Sequence, residues 1–219
     1  MGKVQNEREI ALKVASDLLE IEAIKLNVDN PFTWSSGWRS PIYCDNRLSL
    51  SYPEIRTFIK EQLAEAAKTL FPNYEAVAGV ATAGIPQGAL LAEALNVPFI
   101  YVRSKPKGHG MTNLIEGKVT HGQKVIVVED LVSTGGSSLK AVADLRAAGF
   151  EVLGMLAIFT YGFPIADQNF AEAGIQLHTL SNYSVMLEKA KELGYVKEAD
   201  LVSLEEWRRA PSAWGSSGN

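Results

Sequence analysis

The stretch VIVVEDLVSTGGSSL, Val125 to Leu139, runs from apolar and β-branched positions into two adjacent carboxylates, Glu129 and Asp130, and then into a string of Ser, Thr and Gly. The apolar run suits a strand buried on both faces. A strand that ends in Glu129 and Asp130 sets both carboxylates at the rim of a sheet. Alternation along a strand should make them diverge, one toward a ligand crevice and one toward its edge or floor. Ser133, Thr134, Gly135, Gly136 and Ser137 then open a helix. The glycines let backbone N–H groups approach a ligand closely, and with the hydroxyls and the helix dipole they make an anion cradle suited to a phosphate monoester. Carboxylates repel phosphate but hold sugar hydroxyls, so the combination points to a phosphorylated sugar. Taken alone, the same residues also fit a tight strand-to-helix turn capped by Ser or Thr, with incidental surface acids. The stretch lacks the Gly-Lys-Ser/Thr ending of nucleoside-triphosphate loops and the spacing of the dinucleotide fingerprint.

On either side, short apolar runs alternate with helical patterns. EAVAGV, PFIYVR, EVLGMLAIF and QLHTL read as strands, while GIPQGALLAEALN, Gly136 to Ala148 and Pro164 to Ala173 read as helices. That alternation predicts an α/β fold: a mostly parallel central sheet over 71–180, with helices on both faces. In such sheets ligands collect at the carboxyl ends of strands, here after Val80, Arg103 and Val128. Upstream, Ile10, Val14, Leu18 and Ile21 recur at helical spacing from Glu7 to about Ile24, and a second helix runs from Pro53, a good first-turn residue, to Leu70. Between them PFTWSSGWRSPIYCDNRLSLSYP reads as irregular chain or a short hairpin. It is aromatic enough to cover something, whether the core or a ligand. Asn182 to Trp207 predicts two more helices, and 210–219 a disordered tail. The chain reads as a single domain, 1–219, with 1–50 forming the first helix and a small hood. No internal repeat is visible.

Of 219 residues, 25 are acidic and 21 basic, which excludes the basic excess that broad nucleic-acid binding needs. The one cysteine, Cys44, rules out an internal disulfide framework and fits a reducing compartment. It reads as a small semi-buried residue, because a catalytic thiol needs a nearby base that the sequence does not show. The start MGKVQNEREI has no apolar core of signal-peptide length, and no apolar run approaches the roughly 20 residues of a membrane span. The expectation is a cytoplasmic protein with no membrane and no nucleic-acid partner.

VIVVEDLVSTGGSS resembles the phosphoribosyl pyrophosphate signature of type I phosphoribosyltransferases. YVRSKPKGHG, Tyr101 to Gly110, concentrates Arg103, Lys105, Lys107 and His109 in a segment suited to close over a polyanion. It is similar to the catalytic loop of orotate phosphoribosyltransferases, which separates that group from the purine enzymes of the same fold. The resemblance extends from about Asp17 to Lys189 and includes FTWSSGWRSPIYCDNR and GVATAGIP.

The resemblance implies transfer of phosphoribosyl from phosphoribosyl pyrophosphate to orotate, giving orotidine monophosphate and pyrophosphate, a step of pyrimidine biosynthesis. It also implies Mg2+ held mainly on substrate oxygens, and a homodimer whose loop closes over the other subunit's site. Lys107, His109, Arg103 and Asp130 are then the catalytic candidates, with Lys105 also addressing pyrophosphate. Substrate-binding candidates are Glu129, Asp130, Leu131, Val132, Ser133, Thr134, Gly135, Gly136 and Ser137, together with Ala83 and Gly84 of the second anion loop. For the base, Ser133 or Thr134 would supply a hydrogen bond, with Phe32 and Tyr43 as walls. Arg47 suits either a carboxylate partner or a structural salt bridge. His121 and His178 sit in no ligand spacing and read as structural. Some relatives have lysines where this chain has Ser35 and Ala83, and an arginine for orotate near Tyr161, so those contacts do not carry over. The competing expectations are a transferase for another base and a non-catalytic sensor of phosphoribosyl pyrophosphate. The latter usually needs an added DNA-binding region, which the roughly 20 residues before the core, with their net acidity, are not expected to supply.

Overall fold

In the computed structural model, residues 6–34, 36–105 and 114–214 are described. The chain opens with α1 (Glu7–Glu20), started by Asn6, whose side chain accepts from the Arg8 amide. Short strands β1 (Ile24–Leu26), β2 (Phe32–Thr33), β3 (Arg39–Ser40) and β4 (Ile42–Cys44) follow, then a 3-10 helix, Asn46–Ser51, and α2 (Pro53–Leu70). The core then alternates as predicted: β5 (Ala76–Val80), α3 (Gly84–Leu95), β6 (Phe99–Val102), β7 (Ile115–Glu116), β8 (Lys124–Val132), α4 (Gly136–Ala147), β9 (Glu151–Thr160), α5 (Pro164–Glu172) and β10 (Leu177–Asn182). Helices α6 (Tyr183–Glu192) and α7 (Glu198–Arg209) complete the described chain.

The central sheet has the order β10-β9-β8-β5-β6-β7, and every pairing is parallel except β6 with β7. Val125 to Val128 of β8 are all buried, as the unbroken β-branched run requires of a central strand covered on both sides. Alternate residues serve different cores. Ile126 and Val128 join Leu156, Ile158 and residues of α1, α2, α6 and α7, whereas Val125 and Val127 join Met155, Ala157, Val142 and Leu145 of α4, and Phe170 of α5.

Three expectations change in detail. The first helix ends at Glu20, because Glu22 adopts φ 55° and turns the chain into β1. The segment between the first two helices takes the hairpin alternative and adds a second pairing: β2 pairs with β3, and β1 with β4, both antiparallel. The expected disordered tail is corrected through Trp214, which packs on the core and donates from Nε1 to Ser203 Oγ at 3.3 Å. Residues 215–219 lie outside the described residues.

Candidate active site

Strand β8 continues two residues beyond the acids, to Val132, so Glu129 and Asp130 lie within the strand rather than at its end. Glu129 is 7% exposed. Ser138 Oγ, in the first turn of α4, donates to Glu129 Oε2 at 3.2 Å, and the Asp130 amide donates to Glu129 Oε1 at 3.1 Å. Burial, reinforced by the neighbouring Asp130 charge, pushes the Glu129 carboxyl well above the usual carboxylate range. Burial also raises Asp130, opposed by a hydrogen bond from Glu129 and by the charge of Arg47. The expected divergence of the two acids holds only in part: Glu129 Oε1 curls back to accept from the Asp130 amide, and the two carboxyls lie close enough to shift one another. Backbone alternation fixes where Cβ points, but the glutamate's extra rotatable bonds bring its carboxyl back toward Asp130.

The loop that follows is built for close backbone approach. Gly135 has φ 82°, and a Cβ there would lie 2.7 Å from Phe170 Cε2. Asn169 Nδ2 donates to the Thr134 carbonyl at 2.9 Å and pins the loop. Helix α4 has no side-chain cap, which leaves its first amides for another acceptor. Ser133 and Thr134 are half-buried, while Gly136 and Ser137 are exposed.

The second loop, residues 81–84, includes a cis peptide between Ala81 and Thr82 and enters α3, also without a side-chain cap. A Cβ on Gly84 would press on the Val128 carbonyl oxygen, well inside the 3.0 Å that real Cβ contacts keep, with Glu129 Cα at 3.3 Å. Gly79 and Gly88 permit the same close approach, each leaving room for a Cβ only at 2.8 Å from a neighbour. The start of α3 therefore lies flat on β5 and β8 beside the acid pair, with Ala83 half-buried at its mouth.

A cavity of about 560 Å³ opens between the hood and the sheet, lined by Thr33, Trp34, Ser36, Trp38, Tyr43, Cys44, Leu131, Ser133, Thr134 and Tyr161. Trp34 stacks on Trp38 with centroids 6.4 Å apart and leans on Tyr161 at 5.1 Å. Phe32 meets Tyr43 at 5.7 Å. Ser133 and Thr134 thus belong both to the anion loop and to this cavity. The hood is tied to the acid strand by the buried Asn46, whose Nδ2 donates to the Asp130 carbonyl at 2.7 Å and whose Oδ1 accepts from Cys44 Sγ at 3.3 Å. Trp34, Trp38 and Asn46 were not among the sequence candidates. The aromatic density of 32–43 signalled cover, but nothing local identified what these side chains would face.

Other candidates sort clearly. Arg103 follows β6 and pairs with Glu116 at 3.2 Å, and Lys105 is exposed. Lys107 and His109 lie outside the described residues, as does Ser35. Arg47 forms an ion pair with Asp45 at 2.6 Å, which favours its structural reading, although its charge also reaches Asp130. Burial, then the charges of Asp130 and Asp45, push the Cys44 thiol up, so it is a poor nucleophile. His121 and His178 stand away from the cavity, and burial lowers His178.

Among the described residues no group of three or more His, Cys, Asp or Glu is placed to hold a metal. Two adjacent carboxyls beside the uncapped start of α4 are nevertheless a donor set that suits magnesium, which takes one or two carboxylates and fills its remaining positions with substrate oxygens and water.

A family model described as phosphoribosyl transferase domain matches residues 50–168. The chain is similar to the orotate phosphoribosyltransferase of Cytophaga hutchinsonii, 60% identical over 202 residues that cover 92% of this chain and 97% of that protein. Similarity to the orotate phosphoribosyltransferase of Bacteroides fragilis is 56% over 200 residues, covering 91% and 94%. Among solved structures, orotate phosphoribosyltransferase from Aeropyrum pernix superposes with a TM-score of 0.72 at 32% identity, covering 84% of this chain and 99% of that one.

Proposed function

The chain belongs to the orotate phosphoribosyltransferase family, and from that premise we propose that its cleft joins the phosphoribosyl group of phosphoribosyl pyrophosphate to orotate, releasing pyrophosphate in the pyrimidine biosynthetic reaction. The observation that carries this reading is the double membership of Ser133 and Thr134, which begin the anion loop after the acid strand and also line the aromatic cavity. A sugar phosphate seated on the loop and the acids thereby meets a planar base at the cavity wall.

In this reading the amides of Gly135, Gly136 and Ser137 hold the 5-phosphate, and Glu129 and Asp130 hold the ribose hydroxyls. Ala83 and Gly84 offer backbone to the pyrophosphate. Cleavage at the anomeric carbon leaves positive charge on the ribose and negative charge on the leaving group, so stabilisation is electrostatic. Asp130 favours the ribose cation. Arg103 and Lys105, with Lys107 and His109 from a second subunit of a homodimer, neutralise the departing pyrophosphate, and a protonated His109 can give it a proton. Mg2+, when bound beside Glu129 and Asp130, would supply further charge neutralisation to the leaving group. Among the described residues no helix is long and apolar enough to cross a membrane. A cytoplasmic location is our reading, supported by the single cysteine.

The test mixes the purified protein with Mg2+, phosphoribosyl pyrophosphate and orotate and follows loss of orotate absorbance. Loss that needs all three components supports the reading. Turnover of adenine, hypoxanthine or uracil instead, or binding of the sugar phosphate with no turnover of any base, refutes it in favour of another transferase or a sensor.

A further inference from the structure

Trp207 lies in α7, beyond the 50–168 segment matched by the family model, and is completely buried. Its ring meets two cavity-lining rings edge-on: Trp34 at 5.6 Å and Tyr161 at 5.5 Å. Phe163 at 5.3 Å and Tyr183 at 5.4 Å close around its other sides. Trp207 itself does not line the cavity. Its buried Nε1 has no hydrogen-bond partner among the described residues. A buried donor without a partner is a cost that phenylalanine or leucine would not carry, so what the indole contributes there is its breadth and rigidity.

Helix α7 is also fastened to the segment after β9 that carries Tyr161. Arg208 Nη2 donates to the carbonyl of Gly162, next in sequence to Tyr161, at 3.3 Å, and Nη1 donates to Ser184 Oγ at 2.7 Å. On the hood side, Trp34 Nε1 donates to the Ile42 carbonyl at 3.1 Å, fixing the edge of its ring. Two walls of the cavity, contributed by distant parts of the chain, therefore rest on one residue of the last helix.

We infer that Trp207 is a positioning residue for the acceptor base: through Trp34 and Tyr161 it sets the width of the aromatic slot that receives it. The inference rests on the reading of this cavity as the base site. Shortening Trp207 opens space behind both walls, and packed rings relax into such space only partly, leaving the slot wider and less defined. The sugar-phosphate loop is held separately, by Asn169 on the Thr134 carbonyl and by Phe170 against Gly135.

The experiment measures KM for orotate, KM for phosphoribosyl pyrophosphate, kcat and thermal unfolding in Trp207→Leu, Trp207→Phe, Arg208→Ala and Trp34→Ala full-length variants. Trp207→Leu should raise the orotate KM about tenfold while the phosphoribosyl pyrophosphate KM stays within about twofold, the scale of a pocket that loses apolar complementarity. Trp207→Phe should restore much of the loss, and Arg208→Ala should shift the same constant by a smaller factor. If Trp207→Leu does not fold, the Phe and Arg208 variants decide by the same split. Equal rises in both KM values, or a lower unfolding temperature with neither KM moved, would make Trp207 an ordinary core residue and overturn the inference. If Trp34→Ala also leaves the orotate KM unchanged, the cavity is not the base site, and it is the functional placement that fails.

Discussion

Replacing Gly84 by alanine sets two effects of opposite sign against each other. Alanine is favoured over glycine by up to about 1 kcal/mol inside a helix, and by less at the first residue of α3. Against this, the new Cβ would press on the carbonyl oxygen of Val128 and lie 3.3 Å from Glu129 Cα. Both are backbone atoms of the central strand, so neither can rotate aside. Restoring an ordinary contact of 3.4 Å means withdrawing α3 by roughly 1 Å, and overpacking of this kind costs about 1–3 kcal/mol. The steric effect outweighs the propensity gain. For a chain of this length each 1 kcal/mol moves the unfolding midpoint by about 2–4 °C, so a net cost of about 0.5–2.5 kcal/mol lowers it by roughly 1–10 °C. If Ala83 and Gly84 address the pyrophosphate as proposed, the displaced loop moves them off it, and misplacement of about 1 Å can lower kcat/KM by about 100-fold. Thermal unfolding by circular dichroism and steady-state orotate turnover measure the two losses. Gly136→Ala is the stability control, because a Cβ there meets nothing within 4 Å. A Gly84→Ala protein that unfolds at or above the parent temperature and keeps parental turnover would refute the tight seating of α3 on β8.

Glu129→Gln should separate stability from function. The Glu129 carboxyl is raised in the folded chain, so its favourable contribution is complete below the ordinary carboxylate pKa of about 4.3 and is lost as pH rises through the folded value. Urea unfolding should find the glutamine variant more stable than the parent at pH 8, with the gap closing toward pH 4, while binding of phosphoribosyl pyrophosphate weakens. Asn46→Ala removes the donor to the Asp130 carbonyl and should cost about 1–3 kcal/mol of stability, with kcat falling as the acid strand loosens; unchanged kcat would count against the tie. His178 is lowered by burial, so the stability of its neutral form is present above pH of about 6.5 and drains away as pH falls through the lowered folded value. The unfolding midpoint of His178→Gln should accordingly drop less than the parent's between pH 7.5 and pH 5, with turnover unaffected. His109→Ala should lower kcat by about 10²–10⁴-fold, the usual worth of a general acid, and parental turnover would show the loop assignment to be wrong.

The central strand was legible because Val125 to Val128 leave little alternative to burial on both faces, and the helices because their apolar spacing matches the sides they bury. The anion loop was legible because its chemistry is local, with donors, glycines and helix start falling within a few residues. The cavity was not. Trp34 and Tyr161 are adjacent only after the hood folds over the sheet, and an aromatic residue announces burial without naming its neighbour. Asn46 was missed for the same reason, since its partner is a main-chain carbonyl 84 residues away. The acid pair was legible, but the curl of Glu129 back onto the Asp130 amide was not, because side-chain torsions beyond Cβ escape the alternation rule.

The division of the interior by the sheet has a consequence for how this enzyme can change. The cavity's Tyr161 rests in the apolar cluster that holds α1, α2 and α7, whereas the phosphate loop leans on Phe170 in the opposite cluster with α4 and α5. If the cavity takes the base and the loop the sugar phosphate, as proposed, the two sites lean on different clusters and share, among the described residues, only Ser133 and Thr134. On that placement, substitutions drifting through the cluster behind Tyr161 would retune the choice of base more than the grip on the activated sugar, and a single scaffold could diversify its acceptors while keeping its donor.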